Sequence, residues 1–163
     1  MVIDICALAG LYTTRILAGG VATGTPLSVW LLAFSIFFFF ALAAVKRQSE
    51  LVDGMNRGTV TANGRSYHVN DLPVVASMAT ASGYVSILVM ALYVTSPSVS
   101  VLYTYPEALW GVCLVLLYWI SRMVMVTNHG RMHDDPLVFA VKDRMSLVCL
   151  LLVVAFAVGG ALL

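Results

Sequence analysis

Charged residues are scarce in this sequence, and their scarcity indicates the solvent for which the chain is built. Asp, Glu, Lys and Arg together make up 10% of the 163 residues, while 61% of the residues are hydrophobic. A typical soluble domain has about 25% charged residues. The formal net charge is only +1, and no basic stretch is interleaved with aromatic residues, so we expect no nucleic acid partner. Lipid is the expected environment.

The sequence also lacks the short motifs of several enzyme classes. It contains no GxSxG, P-loop, GxGxxG or CxxC element, so serine hydrolase, nucleotide triphosphatase and thiol redox chemistry have no local support. Cys6, Cys113 and Cys149 are widely spaced within apolar runs, which fits neither a disulfide framework nor a zinc site. Asp4 interrupts the first apolar run, and no basic segment precedes that run, so it does not resemble a cleaved signal peptide.

Long apolar runs are what the sequence has in abundance. Five of them approach the length of about 20 residues that a membrane-crossing helix needs. They lie at residues 2–18, 26–45, 74–95, 108–126 and 145–163. Lipid-exposed backbone must satisfy its own hydrogen bonds, and the runs lack the two-residue alternation of a transmembrane β-barrel. We therefore expect an all-α integral membrane protein in which residues 1–163 form a single transmembrane domain.

The positive charges predict how these spans cross the membrane. Polar segments at about 46–73 and 127–144 carry or adjoin eight of the nine Lys and Arg residues, and the two short turns carry none. Because cytoplasmic loops are enriched in Lys and Arg, both polar segments are predicted to be cytoplasmic. The chain is then a multi-pass protein of the inner (plasma) membrane, with its N-terminus in the cytoplasm and its C-terminus outside.

The first span carries two charges that a lipid environment disfavours, Asp4 and Arg15. They are close to three helical turns apart, so they project from nearly the same face, but a rise of roughly 1.5 Å per residue places them too far apart to pair. Each therefore needs a partner from another helix or a polar ligand. The alternative for Arg15 is that its side chain extends to the outer headgroups.

A denser group of charges follows the second span, in the sequence KRQSELVD at 46–53. If the helix continues past residue 45, Lys46, Glu50 and Asp53 recur on one face, and Arg47 precedes Glu50 by three residues. Such a face could bind a phosphate through its two cations and Mg²⁺ through Glu50 and Asp53, because Mg²⁺ takes carboxylates together with phosphate oxygens. The alternative is an ordinary basic helix end on a solvated face.

The second polar loop offers a weaker group of metal-ligand types. His129, His133, Asp134 and Asp135 lie close together in the sequence, but without the fixed spacing of a known metal motif. A solvated loop is the commoner explanation. Asp135 directly before Pro136 predicts the start of a further helix, because Asp is a good N-cap and Pro is favoured at the first helical position.

Six segments follow one another along the chain: LYTTRILAG at 11–19, SVWLLAFS at 28–35, KRQSEL at 46–51, RSY at 65–67, LLYWISR at 116–122 and MHDDPLVFA at 132–140. In this order they resemble the UbiA family of intramembrane prenyltransferases. Residues 46–50 correspond to the second motif of that family. They have the form Lys-Arg-x-x-Glu, which resembles the decaprenyl-phosphate phosphoribosyltransferase-like branch. The resemblance covers nearly the whole chain.

The resemblance implies prenyl or phosphoribosyl transfer that involves a polyprenyl phosphate or diphosphate and Mg²⁺. Family members have nine transmembrane helices, to the last five of which these spans correspond, so the fold is expected to be half of a UbiA-like nine-helix bundle. The family's first Asn/Asp-rich motif is absent from this sequence. The chain is thus expected to be a fragment or split half, not active alone, whose partner is an N-terminal four-helix half carrying that motif. The alternative is a homologue that has lost catalysis.

The resemblance also implies roles for individual residues. A non-catalytic membrane scaffold or transporter half remains the alternative, in which the same charges only set topology and packing. The implied site consists of catalytic Lys46, Arg47 and Glu50, metal-binding Glu50 and Asp53, and substrate-binding Tyr12, Arg15, Tyr118 and Arg122.

Overall fold

The computed structural model describes residues 2–24, 27–58, 67–97, 99, 103–132 and 135–162. These residues form helices joined by turns, and five of the helices are long and apolar enough to cross a membrane. This confirms the predicted all-α membrane architecture with five spans. The helices are α1 (Ile3–Thr23), α2 (Val29–Asn56), α3 (Leu72–Val94), α4 (Leu109–Asn128), α5 (Pro136–Lys142) and α6 (Arg144–Leu162), with single 3-10 turns at Val69–Asp71 and Pro106–Ala108.

The second helix is longer than its apolar run. The expected span ended at residue 45, but α2 continues to Asn56 because its polar side chains reach hydrogen-bond partners on the α4 side of the bundle. Gln48 Nε2 donates to the Val124 carbonyl over 3.3 Å, and Ser49 Oγ donates to the Met132 carbonyl over 2.6 Å. The first part of the segment expected to be a loop at 46–73 is therefore helical.

Helix ends follow the local signals in the sequence. Gly24 ends α1 in the left-handed conformation, with φ of 64°, which glycine adopts without the steric cost of a Cβ atom. Ser28 caps α2 by accepting a hydrogen bond from the Trp30 backbone N–H. Asp135 caps α5 with its carboxylate, and Pro136 is the first residue of that helix, as predicted. The segment 127–144 therefore contains a short helix of its own.

Helix α2 lies at the centre of the bundle, in contact with α1, α3 and α4. Its interface with α3 is built from small residues such as Ala41, Ala79 and Gly83, which allow close approach of the backbones. A Cβ atom built on Gly83 would lie 2.5 Å from Cγ2 of Ile120. At this point α3 and α4 meet without space for another methyl group.

The outer surface of the bundle is apolar. Large side chains such as Val21, Leu114 and Leu151 are 82%, 68% and 70% exposed. A soluble monomer rarely exposes large continuous apolar patches, whereas lipid tails solvate them. The charged residues of the described loops gather mainly at one end, which we call the polar end: Asp4, residues 46–58, residues 67–71 and the described part of 128–144.

Candidate functional site

An ion-pair cluster joins the first two spans at the polar end. Arg47 of α2 binds Asp4 of α1 with one terminal nitrogen and Glu50 with the other. The Arg47 side chain is only 1% exposed, while Asp4 and Glu50 are 29% and 35% exposed. Arg47 is thus a buried cation held between two carboxylates that water reaches. The expectation that Asp4 needs a partner on another helix is met by Arg47.

Tyr67 completes this cluster from the segment before α3. Its hydroxyl donates to Oδ1 of Asp4 over 2.7 Å and accepts the Val2 backbone N–H over 2.6 Å. The Arg47 guanidinium lies 5.3 Å from the centre of the Tyr67 ring, within the range of a cation–π contact. Burial, followed by the hydrogen bond to the Asp4 carboxylate, raises the pKa of the Tyr67 phenol. Arg47 therefore does not lie on a solvated helix face.

Because of this burial, a phosphate would reach Arg47 only if the groups that cover it moved. Each terminal nitrogen already binds one carboxylate, and Nε has no hydrogen-bond partner among the described residues. A buried charge needs its partners, since removing one of them leaves the other uncompensated. The geometry makes Arg47 a tie between α1 and α2 and a support that orients Glu50.

Lys46 occupies a more accessible position one residue earlier. Its ammonium group binds Oδ2 of Asp135 over 2.5 Å, and the two side chains are 38% and 29% exposed. Both residues line a narrow cleft between α1, α2 and α5, with about 20 Å³ of water-accessible space. Such a volume holds about one water molecule. The remaining lining residues are apolar or aromatic: Leu8, Tyr12, Phe39, Leu42, Ala43, Pro136 and Leu137.

Arg15 lies beside the same cleft. Its guanidinium carbon is 5.3 Å from the centre of the Tyr12 ring, one turn earlier in α1, and the Tyr12 ring stacks on Phe39 at 5.2 Å. Helical side chains point towards the helix N-terminus, so Arg15 is directed towards the polar end and not towards the outer headgroups. The structure thus brings Tyr12 and Lys46 to one cleft, with Arg15 on its rim.

Arg122 belongs to a different group at the same end. It forms two hydrogen bonds with Asp143, of 2.7 and 3.1 Å, and Asp143 also accepts the backbone N–H and the hydroxyl of Ser146. Burial alone would raise the pKa of Asp143, but these hydrogen bonds and the Arg122 charge lower it. Trp119 Nε1 donates to the Ser146 hydroxyl over 3.0 Å. Tyr118, one turn before Arg122, is 49% exposed.

Two apolar cavities lie beyond this second group, between α2, α4 and α6. The smaller, of about 200 Å³, is lined by Trp119, Ser146 and the last turn of α5. The larger, of about 520 Å³, extends to Trp30 and Tyr103 at the opposite end of the bundle. Both are lined by Phe38, Leu116 and Val153, so they adjoin along the bundle. Their apolar lining suits a hydrocarbon chain.

The expected metal ligands, Glu50 and Asp53, lie one turn apart on α2 and are partly exposed. Two carboxylates fit the oxygen donors that Mg²⁺ takes beside phosphate oxygens. One Glu50 oxygen is bound by Arg47. In the described part of the chain, no group of three His, Cys, Asp or Glu residues is placed to bind a metal. His133 and Asp134 of the second loop, and Arg65 of the RSY segment, lie outside the described residues.

Three residues of these networks were not predicted as site residues. Tyr67 had a signal, because it ends the RSY segment of the family resemblance. Asp143 also carried one, since Asp just before a long apolar run is typical of a helix N-cap, whereas Ser146 carried none. What the sequence could not indicate is that Arg122 would bind the same carboxylate.

Comparison with known proteins finds relatives longer than this chain. It is 39% identical over 153 residues to nodulation protein NoeC of Azorhizobium caulinodans, covering 92% of this chain and 49% of NoeC. It is 34% identical over 145 residues to protein y4nM of Sinorhizobium fredii, covering 88% of this chain and 28% of y4nM. The chain therefore spans half or less of the length of both relatives.

A shorter similarity involves an enzyme. Over 50 residues, 31% of this chain and 17% of the relative, the chain is 44% identical to a decaprenyl-phosphate phosphoribosyltransferase of Mycobacterium tuberculosis. No protein-family model matches the chain, and no solved structure matches it. The chain is thus a helical membrane protein that is similar, over about a third of its length, to a decaprenyl-phosphate phosphoribosyltransferase.

Proposed function

We propose that this chain forms the C-terminal half of a UbiA-type transferase that acts on a polyprenyl phosphate, with a phosphoribosyl or prenyl diphosphate as donor. The observation that carries the proposal is the position of Lys46, an accessible cation at the mouth of a cleft between apolar helices. A phosphorylated isoprenoid needs a cation for its headgroup and apolar helices for its tail. The 50-residue similarity to a phosphoribosyltransferase supports the phosphoribosyl version.

The residues of the polar end take different roles in this proposal. Lys46 binds the lipid phosphate, and Tyr12 and Arg15 form the side of the cleft along which the headgroup enters. Glu50 and Asp53 would hold Mg²⁺, which when bound neutralises charge on the donor diphosphate. Arg47 positions Glu50 through their ion pair. Tyr118 and Arg122 do not line this cleft, and would contact the substrate from the second group at the polar end.

The remaining partners follow from the same proposal. The polar end faces the cytoplasm of the plasma membrane, because seven of the eight Lys and Arg residues that the structure describes lie at or beside it. An N-terminal four-helix half supplies the acidic motif that this sequence lacks. In this proposal, the acidic motif of that half faces the cleft from the α1 side, where Arg15 is exposed.

A non-catalytic scaffold is the second candidate, and one observation favours it. Lys46, Arg47 and Arg122 all pair with carboxylates of the chain itself. In a scaffold, these pairs would only join helices. The two functions differ in whether Lys46 recognises a phosphorylated lipid.

Lipid binding to the chain in nanodiscs tests the proposal. We expect native mass spectrometry to detect decaprenyl phosphate on the chain in preference to decaprenol, and Lys46→Ala to weaken that preference about tenfold, because a charge-assisted hydrogen bond is lost. Arg131→Ala, which removes an exposed cation from the same end of the bundle, is the matched control. Equal binding of the phosphate and the alcohol, or equal effects of both substitutions, would contradict the proposal.

Transfer is tested in a second assay. The chain is reconstituted alone and with any four-span protein encoded beside it, and given radiolabelled phosphoribosyl diphosphate, decaprenyl phosphate and Mg²⁺. We expect labelled lipid only from the pair, and a loss of most turnover with Glu50→Gln at normal membrane insertion. Full activity of Glu50→Gln in the pair would favour the scaffold for this chain.

A further inference from the structure

Helix α5, residues Pro136–Lys142, is attached at its two ends to two different spans. At its N-terminal end, Asp135 binds Lys46 of α2. At its C-terminal end, Asp143 binds Arg122 of α4. The helix has only seven residues, so it lies across the polar end like a strap held by two ion pairs. We call residues 135–143 the strap.

The two attachments differ in strength. Asp143 forms two hydrogen bonds with Arg122 and accepts two more from Ser146, and both partners of this ion pair are about four-fifths buried, at 21% and 17% exposure. Asp135 forms one contact with Lys46, and that pair is more exposed. The ion pair with Arg122 is the stronger attachment, because it is largely buried and the guanidinium donates two hydrogen bonds to one carboxylate. The ion pair with Lys46 contributes little stability, because it is more exposed and has a single contact. The Asp135 end is therefore the one that releases first.

The strap also lies between the cleft that contains Lys46 and the smaller apolar cavity. Its first turn, through Pro136 and Leu137, lines the cleft that contains Lys46. Its last turn, through Ala140 and Val141, lines the cavity of about 200 Å³. With the strap in place the cleft holds about one water molecule, which is too small for a phosphate group. A phosphate can enter the cleft beside Lys46 only if the Asp135 carboxylate moves away.

We propose that a polyprenyl phosphate opens the strap by replacing Asp135 on Lys46, so that headgroup binding gives the isoprenoid tail access to the apolar cavities. The phosphate takes over the ammonium group and repels the Asp135 carboxylate that has lost its partner. The first turn of the strap then unwinds, while its Asp143 end stays attached to Arg122. This inference rests on the proposed function, because it takes its lipid as the trigger.

Hydrogen exchange of the strap amides measures this opening. Phe139 N–H donates to the Asp135 carbonyl and Asp143 N–H donates to the Phe139 carbonyl, each over 2.8 Å, so these amides exchange only when the helix opens. In nanodiscs, we expect decaprenyl phosphate to speed deuterium uptake of a peptide covering 136–143, and decaprenol to leave it unchanged. Inorganic phosphate is added in a separate arm.

Two substitutions separate the ion pair from the helix cap. Asp135→Asn removes the charge but keeps an oxygen that can accept the Leu137 N–H, since Asn caps helices as well as Asp does. We expect it to speed strap exchange without lipid, by about fivefold at most for an exposed pair, and to abolish any further effect of decaprenyl phosphate. Glu107→Gln, at the opposite end of the bundle, is the control and should change nothing.

Each outcome decides between the two proposals. Binding of decaprenyl phosphate by mass spectrometry with unchanged strap exchange would overturn the strap and leave the proposed function standing. Faster exchange in Asp135→Asn without any lipid binding would overturn the lipid trigger together with the lipid part of the proposed function. Opening by inorganic phosphate alone would overturn the lipid as the trigger. Unchanged exchange in Asp135→Asn would overturn the attachment itself.

Discussion

Arg47 and Asp4, 43 residues apart in the chain, form an ion pair that joins α1 to α2 at the polar end. Arg47 is almost completely buried, and its second terminal nitrogen binds Glu50. The pair explains why α1, which carries a charge at its start, nevertheless packs as a span. It also makes Arg47 the residue on which the arrangement of both carboxylates depends.

We expect Arg47→Ala to lower the unfolding free energy by about 2 kcal/mol, because two carboxylates lose their shared cation while remaining partly solvated. SDS-titrated unfolding in mixed micelles measures this loss. Arg131→Ala, which removes an exposed arginine from the loop at the same end, should have little effect. Similar losses in both variants would show that the ion-pair cluster does not tie the two helices.

Tyr67→Phe should destabilise the protein by about 1 kcal/mol at neutral pH, because the Asp4 and Val2 hydrogen bonds are lost. The folded state raises the pKa of this phenol above its ordinary value of 10.0. Its contribution is therefore complete below pH 10.0 and is lost as the pH rises through the raised pKa. The tyrosinate absorbance of the wild type, minus that of Tyr67→Phe, follows the titration of the Tyr67 phenol. A difference that appears at or below pH 10.0 would contradict the burial of this residue.

Asp143→Asn should cost about 1 kcal/mol at neutral pH, since the ion pair with Arg122 is lost while Asn still accepts the Ser146 N–H. The pKa of Asp143 lies below its ordinary value of 3.8, so the stabilisation is present above pH 3.8 and disappears as the pH falls through the lowered pKa. Unfolding measured from about pH 7 to about pH 2 tests this.

The control for this titration is Asp71→Asn. In the wild type, the Asp71 carboxylate accepts the His68 backbone N–H. A stability difference between the wild type and Asp143→Asn that stays constant down to the acid limit would exclude the ion pair as its source.

Gly83→Ala should destabilise the bundle by about 1–3 kcal/mol, because the new methyl group meets the branched side chain of Ile120, whose position is stiff. Gly10→Ala provides the contrast, since nothing lies within 4 Å of a Cβ atom there. We expect that variant to be unchanged or up to about 1 kcal/mol more stable, as alanine favours the helix. If both variants behave alike in SDS-titrated unfolding, α3 and α4 are not in the close contact described.

Much of the fold could be predicted, because a helix that crosses lipid must be a long apolar run. The five spans, the α5 N-cap at Asp135 and the need of Asp4 for a partner all followed from local rules. The continuation of α2 to Asn56 did not, since it depends on Ser49 reaching the Met132 carbonyl in a distant loop. The pairing of Lys46 with Asp135 and of Arg122 with Asp143 depends likewise on which helices become neighbours.

The length of α2 has a consequence for the host membrane. Its 28 residues extend about 42 Å, against a hydrocarbon core of about 30 Å, and Lys46 lies about 26 Å along it. With the start of α2 at the opposite boundary of the hydrocarbon, this lysine lies near the edge of the lipid tails, where hydrophobic mismatch acts on it. Longer acyl chains would then draw Lys46 and Asp135 out of water and strengthen their attraction, so the thickness of the bilayer would set how firmly α5 is held to α2.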